Sequence, residues 1–110
     1  ALFGGGNTGS DASDVVDAYN TSLTRSTPTA LSQARYYFTA TSVGDYALFG
    51  GGYGASAVVD AYDTSLTRST PTALSQARYY LAATSVGNYA LFGGGYVSGS
   101  CSDVVDAYTV

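Results

Sequence analysis

The chain has 110 residues, of which 45% are apolar and 14% aromatic, ample for a packed core and inconsistent with a disordered tail. Its charge is sparse and comes from two residue types, four Arg and eight Asp, for a net charge of -4 with no Lys, Glu or His. That balance excludes a nucleic-acid partner, which needs clustered cations to displace counterions. No stretch approaches the roughly 18 to 20 apolar residues of a membrane span, so a soluble chain with no membrane partner is expected.

In chain order, the first element is the run Leu2-Phe3, closed by Gly4, Gly5 and Gly6. No basic segment and apolar core of a signal peptide precede it, and Ala1 falls in mid-pattern, as in an excised or processed piece. A loop from Asn7 to Asp14 follows, then a strand-like run over Val15-Val16-Asp17-Ala18-Tyr19. The next run, around Arg25, carries Pro28; proline lacks a ladder donor, so Pro28 and its counterpart Pro71 are expected on an edge strand.

From Val15 the chain repeats itself. Shifted by 43 positions, Val15 to Gly52 matches Val58 to Gly95 at all but four of 38 positions: Asn20/Asp63, Phe38/Leu81, Thr39/Ala82 and Asp45/Asn88. The Leu-Phe-Gly-Gly-Gly block recurs from Leu48 and Leu91, and Val-Val-Asp-Ala-Tyr ends at Tyr19, Tyr62 and Tyr108. A period of about 20 to 50 residues marks solenoids, propellers or arrays. Within one period the turn residues cut out four short runs. Tyr79 to Val86 reads as a strand, Gly87-Asn88 as a two-residue hairpin turn and Tyr89 to Phe92 as the return. Val104 to Tyr108 is the third, matching Val58 to Tyr62, and the run from Arg68 to Leu74 is the fourth. Glycine triplets interrupt every run before it reaches the roughly 10 to 12 residues of a helix, so an all-β fold is expected.

The residues that recur resemble the kelch repeat. Gly51-Gly52 closing the second strand, Tyr62-Asp63 late in the third, then Leu74 and Arg78, follow that family's order, and Gly5-Gly6, Tyr19, Leu31 and Arg35 repeat it. Arg25 and Arg68 stand where the family has tryptophan, so Arg68 is expected to stack on tyrosines in its place. The resemblance implies β-propeller blades, each a four-stranded antiparallel meander: a partial blade lacking its first strand over 1–34, a complete blade over 35–77, and a partial blade lacking its fourth strand over 78–110. About two and a half blades cannot close a ring of roughly 4 to 8. The chain is therefore expected to associate with itself to complete one, and its partner is first of all another copy.

Candidate site residues fall into two groups. The loops between the glycine triplet and Val-Val-Asp, Asn7 to Asp14, Tyr53 to Ala57 and Tyr96 to Asp103, hold most of the difference between repeats. Tyr53 and Tyr96, with Asn7 and Asp11, are the expected contacts for a carbohydrate or protein ligand. Structural roles are expected for Gly51 and Gly52 at a close backbone approach, and for Arg35, Arg78, Asp17 and Asp60 as ion pairs within or between blades. Asn7, Asp11 and Asp14 lack the spacing and closing Glu of a calcium loop and read as turn residues. Asn20-Thr21-Ser22 fits a glycosylation acceptor, but Asp63 in its place in the next repeat marks it as a turn. No glycine triplet is followed by the Lys-Ser/Thr of a phosphate loop.

The expected function is that of a non-catalytic binding scaffold without metal or cofactor. An enzyme resembling the copper oxidases built on kelch propellers is disfavoured because there is no histidine to serve as base or ligand. Near-identical repeats are also compatible with a designed or excised propeller fragment that has no evolved ligand. The single cysteine, Cys101, excludes an internal disulfide.

Overall fold

A computed structural model describes residues 1–53, 56–97 and 99–109; Gly54, Ala55 and Ser98, within the second and third variable loops, and Val110 lie outside that set. The fold is all β, with no helix among the described residues. Among the described residues the strands are β1 (Leu2–Gly4), β2 (Val16–Tyr19), β3 (Arg25–Ser26), β4 (Thr39–Val43), β5 (Tyr46–Gly50), β6 (Val59–Tyr62), β7 (Arg68–Ser69), β8 (Ala82–Val86), β9 (Tyr89–Gly93), β10 (Tyr96–Val97), β11 (Ser100–Cys101) and β12 (Val105–Thr109). They form antiparallel sheets ordered β1-β2-β3, β4-β5-β6-β7 and β12-β9-β8, with β10-β11 as a small hairpin inside the third variable loop.

Hairpins fix the register. Gly44 and Gly87 take positive φ of 55° and 54°, allowing β4 to return as β5 and β8 as β9 across two-residue turns. One pairing recurs in each of the three larger sheets: Phe3 lies opposite Asp17, Phe49 opposite Asp60 and Phe92 opposite Asp106. The repeat in sequence is thereby a repeat in register, and a residue's place in one sheet predicts its place in the next.

The core lies between the sheets. Val16 and Leu31 of the first repeat pack against Phe49 and Tyr62 of the second, with Leu2, Phe38 and Ala47 at the margin. Val43, Leu48, Val59, Ala61 and Leu74 of the second pack against Leu81, Ala90 and Phe92 of the third. Each central residue has one face toward each neighbour, which is why β6 is buried at all four positions whereas β12 alternates with solvent.

Two expected strands are shorter than the sequence pattern. The outer run ends at Ser26 and Ser69, two residues before Pro28 and Pro71, so both prolines lie beyond the strand rather than on it; pairing stops short of the residue that has no N–H to give. The run expected from Tyr79 pairs continuously only from Ala82, because Tyr80 sits at φ 57° and turns the chain out of the extended region. Tyr37 does the same at φ 58°.

Candidate functional site

Arg35 and Arg78 organise the loop-bearing ends of the second and third sheets. Arg35 Nη1 donates to the carbonyl oxygens of Gly51 and Val58, both at 2.9 Å, and Nη2 reaches Asp60 Oδ2 at 2.6 Å. Arg78 repeats the pattern on Gly94, Val104 and Asp106, the last again at 2.6 Å. The guanidinium fork thus adds donors to the carbonyls at the mouth of the variable loop, of which Val58 and Val104 also accept from Gly51 and Gly94 N–H, and the carboxylate balances its charge. Burial lowers the Arg35 pKa from its ordinary value, an effect opposed by the Asp60 charge.

Of the two arrangements the spacing allowed, the ion pairs form within the 43-residue unit: Arg35 with Asp60 and Arg78 with Asp106. Asp17 has no arginine at ion-pair distance among the described residues. Arg68 does not take the place of the expected aromatic wedge; its Nη1 donates to the Ala30 carbonyl at 2.7 Å, tying the second repeat to the segment before it. Among the described residues a cation lies over a ring at Arg35, 5.4 Å from the Phe38 centroid.

Gly51 has φ 80°, and a Cβ there would meet Leu81 Cδ2 at 2.7 Å and the Arg78 carbonyl at 2.8 Å. The triplet lets the next repeat's backbone come within hydrogen-bonding distance: Gly52 N–H donates to the Arg78 carbonyl at 2.8 Å, and Gly6 N–H to that of Arg35 at 2.8 Å. Each arginine thereby serves two repeats, by its backbone the one before and by its side chain its own.

This placement brings tyrosines together. Directly after each arginine comes a Tyr-Tyr pair, and the backbone bonds Tyr53 N–H to Tyr36 O at 2.8 Å, Tyr80 N–H to Tyr37 O at 2.9 Å and Tyr96 N–H to Tyr79 O at 2.8 Å set the pairs beside the variable loops. Tyr36 stacks on Tyr53 at 5.0 Å and 19°, Tyr53 meets Tyr79 edge to face at 5.2 Å, and Tyr79 lies 5.8 Å from Tyr96. Tyr37 and Tyr80 run alongside, 4.3 Å apart. Tyr37, Tyr53, Tyr80 and Tyr96 remain exposed. A hydrogen bond with Tyr37, then partial desolvation, pushes the Tyr80 phenol up to about 12.

Tyr53 and Tyr96, expected as contacts from the loops, are thus two members of a row of six. The other four were read as strand residues; the signal was the doublet itself, two bulky residues side by side where a strand alternates. Asn7 and Asp11 stand at the first loop, where Asn7 Oδ1 accepts from Gly9 N–H at 2.7 Å and Asp11 Oδ1 from Ala12 N–H at 2.9 Å. These oxygens hold the loop's own turn; desolvation, then the neighbouring Tyr53 and Tyr37, raises the Tyr36 pKa, with the Asp11 charge the smallest contribution. Asn20 Oδ1 accepts from Ser22 and Thr24 N–H as Asp63 Oδ1 does from Ser65 and Thr67, the same turn use of either residue.

No protein-family model and no curated protein matches this sequence. Among solved structures the chain is similar to YjhT, with a TM-score of 0.74 over 90% of this chain at 18% identity. The chain spans 36% of that protein's length. The likeness concerns the fold.

Proposed function

We propose that this chain is a non-catalytic, kelch-like repeat scaffold whose three main sheets are successive propeller blades, completed by association with further copies, and that it binds carbohydrate on its tyrosine row. The blade reading is supported by the β4-β5-β6-β7 meander and by the same Phe-opposite-Asp register in each sheet. A non-catalytic role is supported by a composition without His, Lys or Glu.

The observation that carries the ligand is the row itself. Stacked, tilted and edge-on rings run together with four of them exposed, and Tyr37 and Tyr80 are held there in left-handed backbone conformations that cost free energy in a bulky residue. A platform whose rings already touch one another is too closed to be a cage around a cation, which needs rings spaced around an opening. It suits the flat apolar faces and hydroxyl edges of sugars, which meet aromatic stacking and phenol hydrogen bonds together. No basic side chain joins the row, so an acidic peptide finds no counter-charge there.

An oligosaccharide array followed by calorimetry with its strongest binder tests the reading. Tyr53→Ala and Tyr96→Ala should each weaken binding by about tenfold or more, the factor for ~1.4 kcal/mol of lost contact. A silent array, or binding indifferent to both substitutions, overturns it; binding confined to protein ligands makes the row a protein-contact surface instead.

A further inference from the structure

Two equivalent side chains meet inside the chain, at the junction between the second and third repeats. Tyr37 and Tyr80 hold the same place 43 positions apart, and their rings lie 4.3 Å apart at 35°, the shortest ring-to-ring separation among the described residues. The contact is fixed from both ends of the side chains. Tyr80 N–H donates to the Tyr37 carbonyl at 2.9 Å, and φ of 58° and 57° turn the two residues out of the line of β4 and β8, so the rings leave their strands and lie over one another. At the far end the Tyr80 phenol hydrogen-bonds to Tyr37, which draws the two oxygens together. The ring carbons ortho to those oxygens, one bond further in, are thereby set side by side. With Tyr37 43% and Tyr80 52% exposed, a small reagent reaches both rings.

We infer that Tyr37 and Tyr80 form a site of oxidative cross-linking, at which a carbon–carbon bond between the two rings staples the second repeat to the third. The oxidant is hydrogen peroxide, acting through a haem peroxidase. Each phenol gives up one electron and one proton and becomes a phenoxyl radical, whose unpaired electron is shared with the ortho carbons. The two radicals join through those carbons, and each joined carbon then releases its hydrogen as a proton while its own oxygen takes one up, which restores two phenols. In sum two hydrogen atoms leave the protein and reduce one peroxide to two waters. A tyrosyl radical is short-lived, so a partner already in contact captures it before it is quenched. Tyr53 also bridges the repeats, but it meets Tyr79 at 70°, which aims an edge at a ring face instead of laying ortho carbons together. The bond constrains the unfolded chain as a disulfide over the same span does, and so holds the repeats side by side. The inference needs only the contact between repeats and is independent of the ligand.

Peptide mapping of the whole chain tests it. The exposed Cys101 thiol is alkylated first, so that its own oxidation adds nothing to the masses, and the protein is then treated with peroxidase and hydrogen peroxide and cut after arginine. Cleavage after Arg35, Arg68 and Arg78 leaves Tyr37 in the peptide 36–68 and Tyr80 in 79–110. The cross-link should appear as these two peptides joined and lighter by two hydrogens, whereas a bond between Tyr36 and Tyr53 would stay inside one peptide. On denaturing electrophoresis the product should still run as one chain of 11.2 kDa, and it should melt at a higher temperature than the untreated protein. Tyr37→Phe and Tyr80→Phe keep the ring and remove the phenol, so each should retain the wild-type circular dichroism and abolish the joined peptide; Tyr53→Phe and Tyr79→Phe should preserve it. A wild type that yields no joined peptide, a joined peptide that survives Tyr37→Phe or is lost in Tyr53→Phe, or coupling only between chains overturns the inference.

Discussion

Arg35 and Asp60 meet at 2.6 Å with side chains 1% and 0% exposed, and Ser32 N–H donates to the same carboxylate oxygen at 3.2 Å. The other oxygen, Asp60 Oδ1, is buried without a protein partner. Asp60 therefore depends on one cation for most of its compensation. Asp60→Ala should destabilise by about 3–5 kcal/mol, because it leaves a buried guanidinium without its counter-charge. Asp106→Ala, at the equivalent but 16% exposed carboxylate, should cost less, since water can reach the orphaned charge. Chemical denaturation of the two variants against wild type compares them directly.

The buried Tyr62 phenol and the half-buried Tyr108 phenol make stability fall in alkali. Tyr62 and Tyr108 donate to the carbonyls of Thr29 and Thr72, both at 2.7 Å, and desolvation, then the neighbouring Asp60 or Asp106 charge, pushes each pKa up from 10.0 to about 12. Between those values the unfolded chain has lost the proton and the folded one keeps it, so the stabilisation is complete below pH 10, declines through that window and is gone above about 12. Tyr62→Phe should make the decline shallower in a pH series of melting curves, while lowering stability at neutral pH through the lost hydrogen bond.

Gly51 and Gly94 hold one place in successive repeats, with φ of 80° and 72°, but differ in surroundings. At Gly94 the nearest atom to an added Cβ is the Ser102 carbonyl at 3.8 Å, so Gly94→Ala pays only for the left-handed backbone, about 1–2 kcal/mol. At Gly51 the Cβ also collides with Leu81 and the Arg78 carbonyl, and backbone cannot give way cheaply. Gly51→Ala should lower the melting temperature well beyond Gly94→Ala; equal shifts would show that the close approach between repeats is not needed.

The strands were legible because each rests on a local device: Gly87-Asn88 permits a tight return, Gly93 ends a run, and Val105-Asp106-Ala107 alternates. The ends of the runs were less so. Nothing local in Arg78-Tyr79-Tyr80 announces that Tyr80 leaves the extended region, because contacts from Tyr37 and Tyr96, on other parts of the chain, hold it there. The ion pairs recur in sequence with either partner, and only the β4-β5-β6 meander decides that Arg35 meets Asp60. The tyrosine row was visible in part, since Tyr53 and Tyr96 stand in loops, while Tyr36, Tyr37, Tyr79 and Tyr80 meet them when each repeat folds back on itself and become one row through Tyr53 with Tyr79 and Tyr37 with Tyr80 where repeats lie side by side.

The most direct test of the account is a titration of ring-labelled tyrosine, followed by nuclear magnetic resonance, with the oligosaccharide that binds most strongly on the array. The signals of Tyr37, Tyr53, Tyr80 and Tyr96 should move together and saturate at one concentration, while those of Tyr62 and Tyr108 stay in place. Shifts confined to tyrosines outside the row, or none at all, would contradict the assignment of the row as the binding surface.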